Sequence, residues 1–279
     1  MSSPDYRKPG FGAGLRWLPA AGELLFSGFG PLAGLAALWL LVSTIAIIPL
    51  AGQLAIMLIT PLLTAGAITA FAQVSSGQRP APTMLFAAWG RPELRNRLLG
   101  LGAFGLLGSL VALLVLSAWL SGQVSPEQIQ AAQQSPDAIT DLLEQLSFGP
   151  VLLLPVAILA VVMAAMYFAI PLLIFRGMRI TGALSTSLRA VLANWSAFLG
   201  FGLATIGLVL ALGFVFAVVA MPLSLALGPA GSLIVQVLFM LTAMLIQVLM
   251  AGAQWVAFVS VFGAPGSDRN ADDGNQLLA

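Results

Sequence analysis

The chain contains no cysteine and no histidine, and only 8% of its 279 residues are charged. Without cysteine there is no disulfide, and no redox compartment can be read from the sequence. Without either residue the usual ligands of zinc, copper, haem and iron–sulfur centres are missing, so no metal or cofactor is expected. General acid–base catalysis needs a positioned histidine, carboxylate, lysine or tyrosine. The apolar stretches offer Tyr167 and little else, and Lys8 is the only lysine. No nucleophile–base pair can be assembled. The sequence therefore points away from an enzyme and supplies no catalytic residue.

Eleven basic and ten acidic residues leave almost no net charge. A nucleic-acid partner needs a clustered basic face, and none is expected here. Hydrophobic residues make up 59% of the chain, against roughly 45–50%, with about 25% charged, in soluble domains. The charged surface of a soluble protein of this length cannot be built from such a composition. The expectation is an all-α, polytopic integral membrane protein.

Spanning about 30 Å of hydrocarbon takes roughly 20 apolar residues. Six segments qualify, at approximately 31–49, 53–74, 97–120, 150–175, 197–226 and 230–262. They form a single membrane domain over 13–263, read as three hairpins, each preceded by a cytoplasmic amphipathic helix. Residues 1–12 and 264–279 are expected to be disordered cytoplasmic ends. No short apolar region with a small-residue cleavage site precedes residue 30, so a cleaved signal is not expected. In "IPLAGQLAIMLITPLLTAGAI", Pro49, Ala51 and Gly52 mark a turn between spans. Pro61 falls inside the second span, where it frees a carbonyl for Thr60, Thr64 or a neighbouring helix to satisfy.

Arg7, Lys8 and Arg16 precede the first span; Arg79, Arg91, Arg95 and Arg97 separate the second from the third; Arg176, Arg179 and Arg189 separate the fourth from the fifth. The loop between spans three and four carries only acids, Glu127, Asp137, Asp141 and Glu144. Basic loops stay in the cytoplasm, which predicts cytoplasmic termini and an external acidic loop. Within that loop, 124–148, Ser135 and Pro136 start a further helix whose apolar face lies on the outer leaflet, closes over a cavity or forms a periplasmic docking site.

The linkers carry helical periodicity. Leu184, Leu188, Val191, Leu192 and Trp195 share one face, opposite Ser185, Thr186 and Arg189. Arg16, Ala20, Glu23 and Ser27 form a polar stripe that Leu15, Leu18, Leu25 and Phe26 avoid. The middle linker, "PTMLFAAWGRPELRNR", is shorter and again ends with tryptophan beside arginine. "GFGPLAGLAAL", "GLGAFGLLGSL" and "GFGLATIGLVL" open the odd spans, which suggests three repeats, an arrangement familiar in transporters.

Gly100, Gly102 and Gly105 spell G-x-G-x-x-G, but no strand precedes them and no acidic residue follows at the right distance. Close helix packing is the reading here. Arg91, Arg95, Arg97, Arg176, Arg179 and Arg189 set orientation and are candidate contacts for anionic lipid headgroups. Gln236, Gln247 and Gln254 lie on a broad common face of the last span. They either bond neighbouring helices or, with Gln53, Thr60 and Pro61, form a polar pathway. No Asp, Glu, Lys, Arg or His falls inside a span, so the usual groups of proton relays are absent.

"GLRWLPAAGELLFSGFGPL", "IPLAGQLAIMLITPLLTAGAI" and "LFAAW" resemble a family of uncharacterised proteobacterial inner-membrane proteins. The resemblance covers the six-span region and is most specific in its first third. It implies a bacterial cytoplasmic membrane and no activity. The expected role is membrane organisation or lipid interaction, with membrane lipids, including anionic ones, as partners. Transport of a neutral or lipid-like solute is the alternative. A membrane-protein partner or a homo-oligomer is also compatible with so apolar a surface.

Overall fold

The computed structural model describes residues 6–123 and 153–265, with Ser125, Glu127, Gln128, Gln130 and Ser135 between them. The described residues are helical with no strand. In chain order the helices are α1 (Phe11–Ser27), α2 (Phe29–Ser43), α3 (Ala51–Ser75), α4 (Pro92–Leu120), α5 (Leu153–Tyr167), α6 (Ala169–Phe175), α7 (Ile180–Ala193), α8 (Trp195–Leu227) and α9 (Pro229–Phe262). A 3-10 turn, Thr44–Ile47, extends α2, and α5 and α6 together make one interrupted span. Six helical stretches are long and apolar enough to cross a membrane, so the fold is that of a multi-pass membrane protein. The proposed external helix in 124–148 lies largely outside the described residues, as does the tail beyond Pro265.

Two expectations are corrected. The middle linker is not an α-helix: Pro82–Phe86 is a 3-10 turn. Pro80, Pro82, Gly90 and Pro92 leave too short a run to nucleate one, because prolines remove donors and restrict the residue before them. The segment before α1 is held from Tyr6 onward. Arg7 N–H donates to the Val261 carbonyl at 2.7 Å, and Tyr6 meets Phe262 edge-on at 6.4 Å.

The first turn between spans falls at residues 48–50, beside Ala51 and Gly52, and the residue with unusual backbone there is Leu50. Leu50 has φ 60° and ψ −62°, and Ala51 N–H donates to Pro49 O at 2.6 Å. This is a γ-turn of the strained, positive-φ kind. Gly52 instead lies against the Ile45 backbone, where a side chain would collide.

The packing is uneven along the spans. Around the ends that carry the arginines, Leu32, Leu35, Leu62, Phe71, Leu98 and Phe258 are fully buried in one continuous core. Rings link the helices there: Trp17 of α1 to Phe198 of α8 at 5.4 Å, Phe198 to Phe168 at 5.7 Å, and Phe168 to Phe262 of α9 at 5.2 Å. Glycines let backbones approach. Gly14 lies against Ala197, Gly66 against Leu85, and Gly102 against Leu58, in each case against main-chain atoms. Gly100 meets Ile180 and Gly105 meets Met166, so the G-x-G-x-x-G stretch serves helix packing.

Away from that end the helices separate. Between Thr205 and Gln247 of α8 and α9 no described side chain is buried apart from Gly231. Phe214, Leu225 and Phe239 stand largely exposed. A surface this apolar is stable against hydrocarbon and not against water.

Candidate functional site

Basic residues converge on the packed end through backbone bonds. Arg97, one turn into α4, donates from Nη1 to Gly177 O at 2.9 Å and to Met178 O at 3.1 Å, and from Nη2 to Glu93. Arg176, which ends α6, donates to Phe262 O at 2.7 Å and lies 5.7 Å from that ring's centre. Both arginines therefore tie the start of α4 and the end of α9 to the α6–α7 connection. The other sequence candidates are placed differently. Arg91, Arg179 and Arg189 are exposed and Arg95 is half-buried. Arg79, in the loop after α3, is exposed as well.

Among the described residues ten are basic and three are acidic, and Glu127 lies away from the basic loops. The Arg97–Glu93 contact is the one ion pair among the described residues. The packed end thus presents arginines that outnumber Glu23 and Glu93.

The fourth span is interrupted at Phe168, and the interruption has a chemical cause. Pro171 has no N–H, so the Tyr167 carbonyl four residues back loses its donor. The Gln254 side-chain amide of α9 donates to that carbonyl. One turn earlier, Ser187 of α7 enters the helix: its Oγ accepts from Phe168 N–H at 2.9 Å and donates to Ala164 O at 2.7 Å. A hydroxyl thus stands between a donor and an acceptor that would pair directly in an unbroken helix. In a bilayer an unmatched backbone group costs several kcal/mol, so α7 and α9 are fixed to the break.

Ser187 belongs to a small-residue stripe, Ala183, Ser187 and Ala190, continued by Asn194, that buries α7 against the bundle. Asn194 donates from Nδ2 to Ala190 O at 2.8 Å and to Arg7 O at 3.3 Å. The sequence signal for this face was present, as small residues three to four apart, but the larger Leu184, Leu188 and Val191 masked it. Those three are only partly covered, and Leu192 and Trp195 are exposed.

The polar-pathway candidates do not come together as a group. Gln254 bonds Tyr167 O in the core, whereas Gln53, Gln236 and Gln247 are exposed. Thr60 donates to Ile56 O at 2.7 Å, its own helical neighbour, and not to the Met57 carbonyl that Pro61 frees. α3 runs unbroken through Pro61. Thr60 and Pro61 do share a cavity of about 240 Å3 between α3, α4 and α5, lined mainly by Met57, Gly105, Met163 and Met166. A second cavity, about 120 Å3, lies nearer the basic end beside Thr69, Gln73 and Arg91. Among the described residues no cluster of His, Cys, Asp or Glu could hold a metal ion.

No protein-family model matches the chain, and no curated protein or solved structure is similar to it.

Proposed function

We propose that this is a non-enzymatic protein of the bacterial inner membrane, with both termini cytoplasmic, whose basic end binds anionic lipid headgroups and so acts in membrane organisation. The observation that carries the reading is the set of arginines at that end, Arg79, Arg91, Arg95, Arg179 and Arg189, with no carboxylate among the described residues bonded to any of them. Each such arginine contributes about 1 kcal/mol at an anionic surface.

In this reading the spans form three hairpins, two of them introduced by interfacial helices, α1 and α7, and the third by the 3-10 turn at Pro82–Phe86. Exposed apolar residues beside exposed arginines support that placement: Leu15 beside Arg16 on α1, and Leu192 beside Arg189 on α7. Arg97 and Arg176 are left out of the lipid-binding set, because their guanidinium groups already bond backbone carbonyls. Transport of a neutral solute along a polar pathway is less well supported, since the walls around Pro61 are almost wholly apolar.

The test is native mass spectrometry from nanodiscs containing phosphatidylglycerol and phosphatidylcholine. Wild-type protein should retain phosphatidylglycerol. A variant with Arg79, Arg95, Arg179 and Arg189 replaced by glutamine should retain less of it while keeping its melting temperature. Equal retention by the two proteins would overturn the reading. Single cysteines at Ala264 and Ser135, in a chain that has none, would report the orientation. Labelling of Ala264→Cys by an impermeant thiol reagent in intact cells would place the C-terminus outside and refute the topology.

A further inference from the structure

The two cavities lie along the same helices. On α3 the lining residues Met57, Pro61, Ala65, Thr69 and Gln73 follow at intervals of four, an inclined row that winds along the helix. The first two belong to the larger cavity and the last three to the smaller. On the interrupted span, Val162, Met166 and Ile170 line the larger cavity and Ile174, one turn on, lines the smaller. On α4, Leu94 faces the smaller cavity, Gly102, Gly105 and Ser109 the larger. Leu98, in the same register, is fully buried between them. The two spaces are thus stacked along the same helices, about one turn apart.

Their chemistries differ in the sense an amphiphile requires. The smaller end holds Arg91 and Gln73, neither side chain bonded to another described side chain, and no carboxylate among the described residues lines it. It lies at the membrane surface, for Gln73 is in the last turn of α3 and Arg91 immediately precedes α4. The larger end is walled by methionine, leucine, valine and isoleucine. Met57 and Met163 on its rim are exposed, as are Leu107 and Leu110 on the adjoining surface of α4. An apolar space of about 150 Å3 stays dry, and this one opens sideways onto hydrocarbon. Met side chains adapt to a flexible guest. From Gln73 to Pro61 is twelve residues, about 18 Å along the helix, close to the ~15 Å depth of one leaflet.

We propose that these two stacked spaces together bind one anionic glycerophospholipid of the cytoplasmic leaflet, with its phosphate at Arg91 and Gln73 and one acyl chain in the cavity beneath Pro61. The proposal rests on the reading of the basic end as cytoplasmic and lipid-facing, and gives it a specific site.

The experiment uses full-length protein in phosphatidylethanolamine nanodiscs doped with phosphatidylglycerol that carries a diazirine halfway along one chain. After photolysis the adducts are mapped by mass spectrometry. Adducts should concentrate on the peptides holding Met57 and Met163–Met166, above the exposed 209–241 surface of α8 and α9. Arg91→Gln should reduce labelling of those peptides about five-fold, the loss of ~1 kcal/mol. Ser109→Phe, which fills the cavity, should abolish it while leaving phosphatidylglycerol retention by the other arginines intact. A phosphatidylcholine probe should label those peptides less.

Labelling spread in proportion to exposed surface would overturn the site, and the wild-type map decides this even if a variant does not fold. So would labelling unchanged by Ser109→Phe, or labelling independent of headgroup. Failure of the site with headgroup retention preserved leaves the broader reading standing. Loss of retention in wild-type protein refutes that reading itself.

Discussion

The Ser187 hydroxyl on α7 sits between Phe168 N–H and Ala164 O of the fourth span, at 2.9 Å and 2.7 Å. One side chain from a linker thus completes the backbone of a membrane span. Ser187→Ala removes both partners inside the bundle, where an unsatisfied buried group costs about 1–3 kcal/mol. The melting temperature in detergent should fall accordingly. An unchanged value would mean that the helix recloses without the hydroxyl.

Gln254 and Pro171 should show coupled energetics. Gln254→Leu strands the Tyr167 carbonyl only because Pro171 cannot donate to it. The single change should destabilise by about 0.6–1.7 kcal/mol, the range for hydrogen bonds between membrane helices. In a Pro171→Ala background the N–H at 171 returns, and the same change should cost less. A double-mutant cycle measures the difference.

Glycine positions separate into two groups. A methyl group at Gly66 would overlap the Leu85 backbone, and one at Gly102 the Leu58 backbone. Either alanine variant should lose about 1–3 kcal/mol or more to overpacking. Gly213, within α8, has open space where its Cβ would be. Gly213→Ala should stabilise the helix by up to ~1 kcal/mol. Thermal unfolding of the three variants side by side tests the contrast.

Leu50 offers a stabilising change. A non-glycine residue in a sparsely populated conformation is strained by about 1–3 kcal/mol, whereas glycine gives up about 0.5–1 kcal/mol of chain entropy. The strain is the larger quantity, so Leu50→Gly should raise the melting temperature. A decrease would show that the exposed leucine contributes more through contact with its surroundings than it loses to strain.

Arg97 and Arg179 should respond differently to the same substitution. Arg97→Gln removes two bonds to the Gly177 and Met178 carbonyls and should lower stability by about 1.5–3 kcal/mol per charged bond lost. Arg179→Gln breaks no described side-chain bond and should leave stability within about 0.5 kcal/mol. Chemical denaturation of both variants in one detergent distinguishes them.

Much of the architecture was legible in the order of residues, because a bilayer imposes a demand that composition alone meets or fails. A span needs a run of apolar residues long enough to satisfy its own backbone, and six such runs are readable directly. The structure places their ends within a few residues of those expected, for example Ala51–Ser75 for 53–74 and Pro229–Phe262 for 230–262. The grouping of arginines into alternate loops was equally readable, since it needs only the sequence order of spans and charges.

Tertiary structure decided which side chains serve the interior and which face outward. Nothing local distinguishes Gln254, buried against Tyr167 O, from exposed Gln247 one heptad earlier. Arg97 and Arg179 look alike in sequence, yet one bonds carbonyls and the other is exposed. Ser187 reads as an ordinary polar residue until Pro171, sixteen positions earlier, is seen to interrupt the span it enters. The physical reason is common to all three. Burial of a polar group is favourable only beside a specific unmet partner, and that partner lies on another helix, at a distance along the chain that periodicity does not encode.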